Sequence, residues 1–411
     1  MRKMQDTGLK WLGKIPSDWS LTKIGWLYTI RNEKVSDKDY PPLSVTNRGI
    51  LPQLETAAKT NDGDNRKLVR IGDFVINSRS DRRGSCGISP YDGSVSLINI
   101  VMMPRKAMIP TYYEWLFHTT QFGDENYRWG HGIVDDLWTT GWQEMKKITI
   151  PMPPIKEQET IAAFLNTKCT EIDDLTADIQ TQIDTLEQYK RSVIIEMVTK
   201  GMNSDAEMKD SGIGWIGTIP TAWKVSRIKY EILPLQRPVY PTDLVMTCFR
   251  DGEVTLRQNR HEDGFTVSFT ENGYQGVEVG DLVIHGMDAF AGAIGCSDSR
   301  GKITPVVHVC KTTGNNRFFM YALRSMAMND VLMSFAEGIR VRSSDFRNFN
   351  KLGKFRIAVP SVDEQNEIVA YLDSKCTEID AIIALKKQQL EILSDYKKSV
   401  IYEYITGKKE V

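Results

Sequence analysis

The stretch from Lys168 to Asp173, KCTEID, recurs letter for letter from Lys375 to Asp380, 207 positions further along the chain. A six-residue identity at that distance marks an internal repeat, and a repeat decides the architecture before any local element is read. Around it the match widens. PPIKEQETIAAFLNTKCTEIDDL from Pro153 aligns without a gap to PSVDEQNEIVAYLDSKCTEIDAI from Pro360, and YKRSVIIEMVT at Tyr189 matches YKKSVIYEYIT at Tyr396. Upstream, TGLKWLGKIPSDW at Thr7 corresponds to SGIGWIGTIPTAW at Ser211. The chain is therefore two similar halves in tandem. Each runs W-[LI]-G-x-I-P-x-x-W, then about 140 residues, then P-x-x-x-E-Q, then a segment without glycine or proline until Gly201 or Gly407.

The segments after each E-Q read as helices. Thr170 and Thr377 are placed to cap a helix, with Asp173 and Asp380 three residues on as a capping box. KCTEID is thus expected to be a joint between a short helix (157 to about 167) and a long one, with Cys169 and Cys376 as small residues at the joint. Apolar residues at Ile172, Leu175, Ile179, Leu186 and Val193, and at Ile379, Ile382, Leu393 and Val400, suit a heptad stripe interrupted by Gln182 and Lys386. A helix of about 30 residues is roughly 45 Å long. One such helix alone exposes its stripe, so the two copies are expected to pair antiparallel about an approximate two-fold, with a globular head at each end.

The middles, 17–153 and 221–360, diverge. Their frame is traceable through IGDFVI (Ile71 to Ile76) and VGDLVI (Val279 to Ile284). Short β-rich runs lie between turn residues: DFVINS, SVSLINIVMM and KKITIPMP in the first, DLVIHG, TPVVHVC and KFRIAVP in the second. YYEWLFHT and RFFMYALRSM read as short helices. The fold class is mixed α/β.

With 411 residues, a net charge of −1, 41% hydrophobic and 26% charged residues, the chain has the composition of a globular protein. No apolar run reaches membrane-spanning length and the N-terminus lacks a signal peptide's apolar stretch, so no membrane association and a cytoplasmic location are expected. The six cysteines (86, 169, 248, 296, 310, 376) form no C-x-x-C pair, and no metal site is assigned. FAGAIG (Phe290 to Gly295) is read as a turn rather than a cofactor loop. No catalytic constellation is present, so no catalytic residue is assigned.

Arginines on turn-rich segments are the informative feature. The first middle carries Asn47, Arg48, Arg79, Ser80, Arg82 and Arg83. The second carries Arg250, Arg257, Gln258, Arg260, Arg340 and Arg342. Arginine beside Asn, Gln and Ser suits bidentate contact with base edges, and these twelve are the candidate DNA-binding residues. Arg70, beside a strand, reads as structural. Trp11, Trp19, Trp215 and Trp223 read as a packed arm at the start of each half, while Trp129, Trp138 and Trp142 are either core or stacking residues.

With WLGKIPSDW and WIGTIPTAW opening the halves, IPMPPIKEQETIAAFL and IAVPSVDEQNEIVAYL closing the heads, and YKRSVIIEMVTKG and YKKSVIYEYITGK ending the helices, the chain resembles the specificity subunit of a Type I restriction–modification system. Ser361 departs from a second proline frequent in that family. The resemblance implies two α/β target-recognition domains joined by two long antiparallel helices in a coiled coil. It divides the chain into a first recognition domain with its arm (1–153), a central helical region (154–201), a second recognition domain (202–360) and a C-terminal helical region (361–411). It implies that each head reads one half of an asymmetric bipartite target in double-stranded DNA, and that the helices set the spacer. Partners would be two modification subunits, which methylate adenine, and restriction subunits. S-adenosylmethionine, ATP and magnesium would then belong to those partners, and this chain would hold no cofactor. Two other readings are a fused restriction–methylation enzyme, which the missing methyltransferase and nuclease motifs oppose, and a coiled-coil scaffold without a DNA role, which the turn-borne arginines oppose.

Overall fold

The computed structural model describes residues 2–53, 63–79, 83–105, 108–132, 138–260, 271–333 and 346–411. Two compact units divide it: Met1–Gln180 with Lys387–Val411, and Thr181–Lys386. Each unit holds one mixed α/β head and a stretch of both long helices.

Each long helix is unbroken, Ile155–Lys200 with 46 residues and Val362–Ile405 with 44. KCTEID is therefore not a joint, and this corrects the capping expectation. Thr170 and Thr377 lie in mid-helix, where their hydroxyls donate to the carbonyls of Asn166 and Asp373 one turn back. That local bond satisfies the hydroxyl without freeing the backbone, so threonine is tolerated there. Asp173 and Asp380 do not cap anything. In the first unit the Lys397 ammonium donates to Asp173 at 2.6 Å, and in the second Lys190 donates to Asp380 at 2.6 Å. The acid that ends KCTEID thus pairs with the lysine of the YK-[RK]-S-V phrase from the other repeat.

Those pairs fix the direction of packing. In the first unit, the Phe164 and Tyr404 rings lie 4.4 Å apart; together with Asp173–Lys397 this makes the helices antiparallel. In the second, Lys386 donates to Gln182 at 2.5 Å, in the same register as Lys190–Asp380. The two residues that interrupt the apolar stripe are therefore each other's partners. Such exposed ion pairs stabilise by only about 0–1 kcal/mol each, so their larger role is to select register. The buried seam runs through Cys169, Ile172, Ile179, Ile183 and Val193, and through Cys376, Ile379, Ile383 and Val400. Leu175 and Ile382 are exposed instead, because Thr176 and Ile383, one residue on, occupy the inward positions. Burial at the seam pushes the Cys169 thiol up to about 11, which removes it as a nucleophile at neutral pH.

The arm and the E-Q motif explain each other. The Trp19 indole N–H donates to Glu157 and that of Trp223 donates to Glu364, both at 2.9 Å. Gln158 accepts from the Ile109 amide and donates to the Pro153 carbonyl; Gln365 accepts from Asn315 and donates to Pro360. In each half, the glutamate ties the arm to the helix and the glutamine ties the head to it. Gly201 and Gly407 follow the helices with φ of 73° and 68°. A Cβ there would press on the Trp223 or Trp19 ring at 3.0 or 2.9 Å. Arg2 also pairs with Glu157. Glu157→Ala orphans the buried Trp19 indole N–H and removes one carboxylate from Arg2, which keeps Asp18, and is expected to destabilise the first unit by about 1–3 kcal/mol. Thermal unfolding of the variant beside Glu364→Ala, which loses only the indole bond, checks this; equal melting of the two variants and the parent contradicts it.

In each head the chain enters and leaves as an antiparallel pair, Ser20–Lys23 with Thr149–Met152 and Lys224–Arg227 with Arg356–Val359. Between them stands a four-stranded antiparallel sheet. Its order in the first head is Cys86–Ile88, Phe74–Asn77, Asn99–Pro104, Tyr28–Arg31; in the second it is Ile294–Cys296, Leu282–His285, Val307–Thr312, Ile232–Leu235. Helices Pro110–Phe117 and Asn316–Met328 cover these sheets, and both were legible as short helices. FAGAIG contains a single 3-10 turn, with Gly292 left-handed at φ 95°, before strand Ile294–Cys296. One close crossing is solved in mirror fashion. Gly25 packs against Lys146 in the first head, whereas Lys229, at the position of Gly25, packs against Gly353, at the position of Lys146. The crossing has room for one side chain, and either partner can be the glycine.

A half-buried histidine couples the first head to pH. His118 lies 3.7 Å from the Cys86 sulfur. Burial, reinforced by Lys397, holds its imidazole below the usual histidine range. The unfolded chain protonates this group near pH 6.5, so below that value the unfolded state binds more protons and stability falls as pH falls. Glu114, pushed up by burial, works in the opposite sense. Comparing the pH dependence of unfolding in the parent and His118→Gln isolates the histidine: the variant should lose less stability between about pH 7 and 5. Parallel profiles exclude the contribution.

Candidate nucleic-acid interface

The candidate residues of the first head converge at one end of its sheet. Asn77 ends a sheet strand, and its side-chain oxygen accepts from the Arg79 amide at 3.0 Å, turning the chain out of the sheet. Arg83, where the chain comes back, lies over the Tyr127 ring with its guanidinium carbon 4.1 Å from the ring centroid. Tyr127 in turn stacks on Trp138, with centroids 5.3 Å apart and planes 29° from parallel. The result is a ladder of guanidinium, phenol and indole. The hairpin Leu43–Thr46/Gly49–Pro52 carries Asn47 and Arg48 at its tip, and Ser85 donates to the Asn47 side-chain oxygen at 2.7 Å. Asn47, Arg48, Arg79 and Arg83 are all exposed and share this end. Ser80 and Arg82 lie outside the described residues.

The second head builds a similar end from different residues. The hairpin Met246–Cys248/Val254–Leu256 has a longer tip, from Phe249 to Glu253. Arg260 lies over the Phe249 ring at 4.3 Å and pairs with Asp251 and Glu253 at 2.5 and 2.7 Å. Arg250 pairs with Asp288 at 2.9 Å. Gly252, left-handed at φ 92°, sits so close to Arg324 that any Cβ would collide with the guanidinium. Burial would push the Asp251 carboxyl up, but the Glu253 amide and the Arg260 and Arg324 guanidiniums hold it below the usual range. Arg257 donates to the Thr247 hydroxyl at 3.4 Å, and Gln258 is exposed on the single turn Arg257–Asn259. Arg340 and Arg342 lie outside the described residues.

Two kinds of arginine separate clearly. Arg31 with Asp73, Arg237 with Asp281 and Arg300 with Asp243 each meet a buried carboxylate and hold the fold. Arg83 with Asp124 and Arg260 with Asp251 and Glu253 meet half-exposed or exposed carboxylates. An exposed pair is worth about 0–1 kcal/mol, so exchanging its carboxylate for a phosphate or a base edge costs little. Arg70 packs over Tyr40 at 5.0 Å and pairs with Asp92 at 2.8 Å, on a turn at the other end of the sheet. Trp11, Trp19 and Trp223 are buried and Trp215 is half-buried, so the arm is packed as expected. Trp129 donates to Glu125, and Trp142 packs on the core. The sequence offered no signal for the ladder, because Arg83, Tyr127 and Trp138 meet only through the fold. Phe249, the platform of the second head, was missed for the same reason.

Comparison with known proteins agrees in both sequence and fold. Residues 16–185 match the family model of the Type I restriction modification DNA specificity domain. The type I restriction enzyme MjaVIII specificity subunit of Methanocaldococcus jannaschii is 24% identical over 432 residues, spanning 97% of this chain and 94% of that protein. A chain from a structure concerned with complex assembly and conformational transition of the type I R-M system superposes with a TM-score of 0.68 at 13% identity, over 96% of this chain and 99% of that one. The crystal structure of the HsdS subunit from Thermoanaerobacter tengcongensis gives 0.53 at 14% identity, over 98% and 100%. The two structural likenesses establish a shared fold.

Proposed function

We propose that this chain is a DNA specificity subunit of a Type I restriction–modification system, and that residues 1–153 and 202–360 are two target-recognition domains reading the two halves of an asymmetric bipartite sequence. The observation that carries this reading is the arginine laid on an aromatic ring at one end of each sheet, Arg83 on Tyr127 and Arg260 on Phe249, with different neighbours in the two heads. Like frames with unlike contents read unlike half-sites. Bidentate arginine contacts supply base discrimination, and the aromatic platforms hold the guanidiniums in plane. Asn47, Arg48, Arg79, Ser80, Arg82 and Arg83 serve the first half-site. Arg250, Arg257, Gln258, Arg260, Arg340 and Arg342 serve the second.

The helical regions 154–201 and 361–411 set the spacer and dock the partners. Leu175 and Tyr396 flank the Asp173–Lys397 pair, and Ile382 and Tyr189 flank the equivalent Asp380–Lys190 pair; all four are exposed apolar side chains. An exposed apolar pair repeated at equivalent positions fits a partner bound twice, which supports two modification subunits. Those subunits, with restriction subunits, would carry S-adenosylmethionine, ATP and magnesium and perform adenine methylation and cleavage, while this chain supplies specificity. Among the described residues no helix is long and apolar enough to cross a membrane, and we place the complex in the cytoplasm. The test is reconstitution. Purified chain and modification subunit together should methylate a bipartite target, and neither should do so alone. Methylation by this chain alone would sink the reading in favour of the fused enzyme.

A further inference from the structure

We infer that each head carries a second protein-docking surface, centred on Trp26 in the first and Tyr230 in the second, which receives the twice-bound modification subunit. The inference rests on the reading just given, and deepens it by adding a contact on the heads to the one on the helices.

Trp26 and Tyr230 occupy equivalent positions on the one-turn helices Ile24–Leu27 and Ile228–Glu231. They are 71% and 61% exposed. A second apolar pair repeats at the same end of each four-stranded sheet: Ile71 and Val279, at the turns leading into sheet strands, are 69% and 67% exposed. Neither pair has a reason in the fold, since the buried side of each one-turn helix is formed by Ile24 and Leu27, or Ile228 and Glu231. Large apolar side chains exposed once are ordinary; exposed twice at the same place in two otherwise divergent heads, they point to one partner met twice.

The placement argues against DNA. In the first head, Tyr28 pairs with Pro104 at one end of the central strand, and Asn77 pairs with Asn99 at the other. The arginine ladder follows Asn77, whereas Trp26 precedes Tyr28 and Ile71 precedes Phe74. Six strand residues, roughly 17–20 Å, separate the two ends. The second head has the same polarity: Arg250 and Asp288 lie beyond His285, while Tyr230 precedes Ile232, whose partner is Thr312. A duplex lying on the arginine end of a head does not reach the aromatic end.

Charge narrows the partner. Trp26 lines an open hollow with Leu21, Lys23 and Thr149. Tyr230 has the Lys229 ammonium 4.9 Å from its ring centroid, and Arg227 takes the place of Lys23. Both surfaces are therefore apolar with a cationic edge, complementary to an apolar protein surface edged by carboxylates. An aromatic anchor with a charged rim is the arrangement in which a single side chain carries much of an interface's energy.

The test uses the full chain and purified modification subunit, with bound copies counted by sedimentation or native mass spectrometry. Trp26→Ala should leave one copy bound normally and weaken the other by about tenfold or more, and Trp26→Ala with Tyr230→Ala should weaken both. Thermal unfolding and the affinity of the free chain for target DNA should match the parent, because both side chains are exposed. Unchanged recruitment in the double variant overturns the inference. So does a loss of DNA affinity with recruitment intact, which would make the surface a nucleic-acid contact. Failure of the parent chain to recruit any modification subunit instead overturns the underlying reading, and is seen before any variant is made.

Discussion

Replacing Arg79 and Arg83 together by alanine is expected to erase discrimination at one half-site and leave the other untouched. A good bidentate arginine–guanine contact is worth about 1–3 kcal/mol of discrimination against the wrong base, so two such losses correspond to roughly 30-fold to 20,000-fold. The cost to folding is small. Arg83 and Asp124 are both exposed, and breaking such a pair costs about 0–1 kcal/mol. The measurement is competitive binding of the reconstituted complex to duplexes altered in one half-site at a time. The double variant should stop distinguishing the parent first half-site from its altered forms and should keep full discrimination at the second. Equal loss at both half-sites would show that these arginines support the complex as a whole rather than read sequence. Arg250→Ala with Arg260→Ala is the mirror experiment, with the half-sites exchanged.

The second large effect concerns the helices. Inserting seven residues after Gln180 and seven after Lys386 keeps the heptad phase of both, since the seam repeats every seven residues. Each helix then gains about 10.5 Å, or roughly three base pairs of duplex. The prediction is that such a variant abandons the parent target and modifies one with the same half-sites and a spacer about three base pairs longer. An insertion in one helix alone displaces Lys397 from Asp173 or Lys190 from Asp380, and should lose stability without a new target. A paired insertion that still modifies the parent spacing removes the helices as the ruler.

Much of this molecule was legible in its repeat. A tandem phrase with a heptad stripe specifies two helices that need each other, and β-rich runs between turn residues located the two inner strands of each four-stranded sheet but not the outer ones. KCTEID was misread where local and distant partners compete for one side chain. Thr170 has the chemistry of a cap, but a threonine in mid-helix satisfies its hydroxyl on the carbonyl of Asn166. Asp173 has a partner 224 residues away, which no local pattern encodes. The stripe was misphased at Leu175 because hydrophobicity alone favours leucine over Thr176, whereas seam geometry places the threonine inward. In the heads, the sequence offered arginines without their platforms. Tyr127 and Trp138 become a ladder for Arg83 only after a sheet and a helix have folded together. Arg300 and Arg83 look alike as letters and differ in whether the carboxylate they meet is buried.

The most direct measurement of the central claim is a map of modified bases across the genome of cells with and without the gene for this chain. The account predicts that one asymmetric bipartite motif loses its modification on both strands when the gene is removed, and regains it when the gene is restored. An unchanged map, in cells that hold an active modification subunit, would contradict the assignment of this chain as the subunit that reads the sequence.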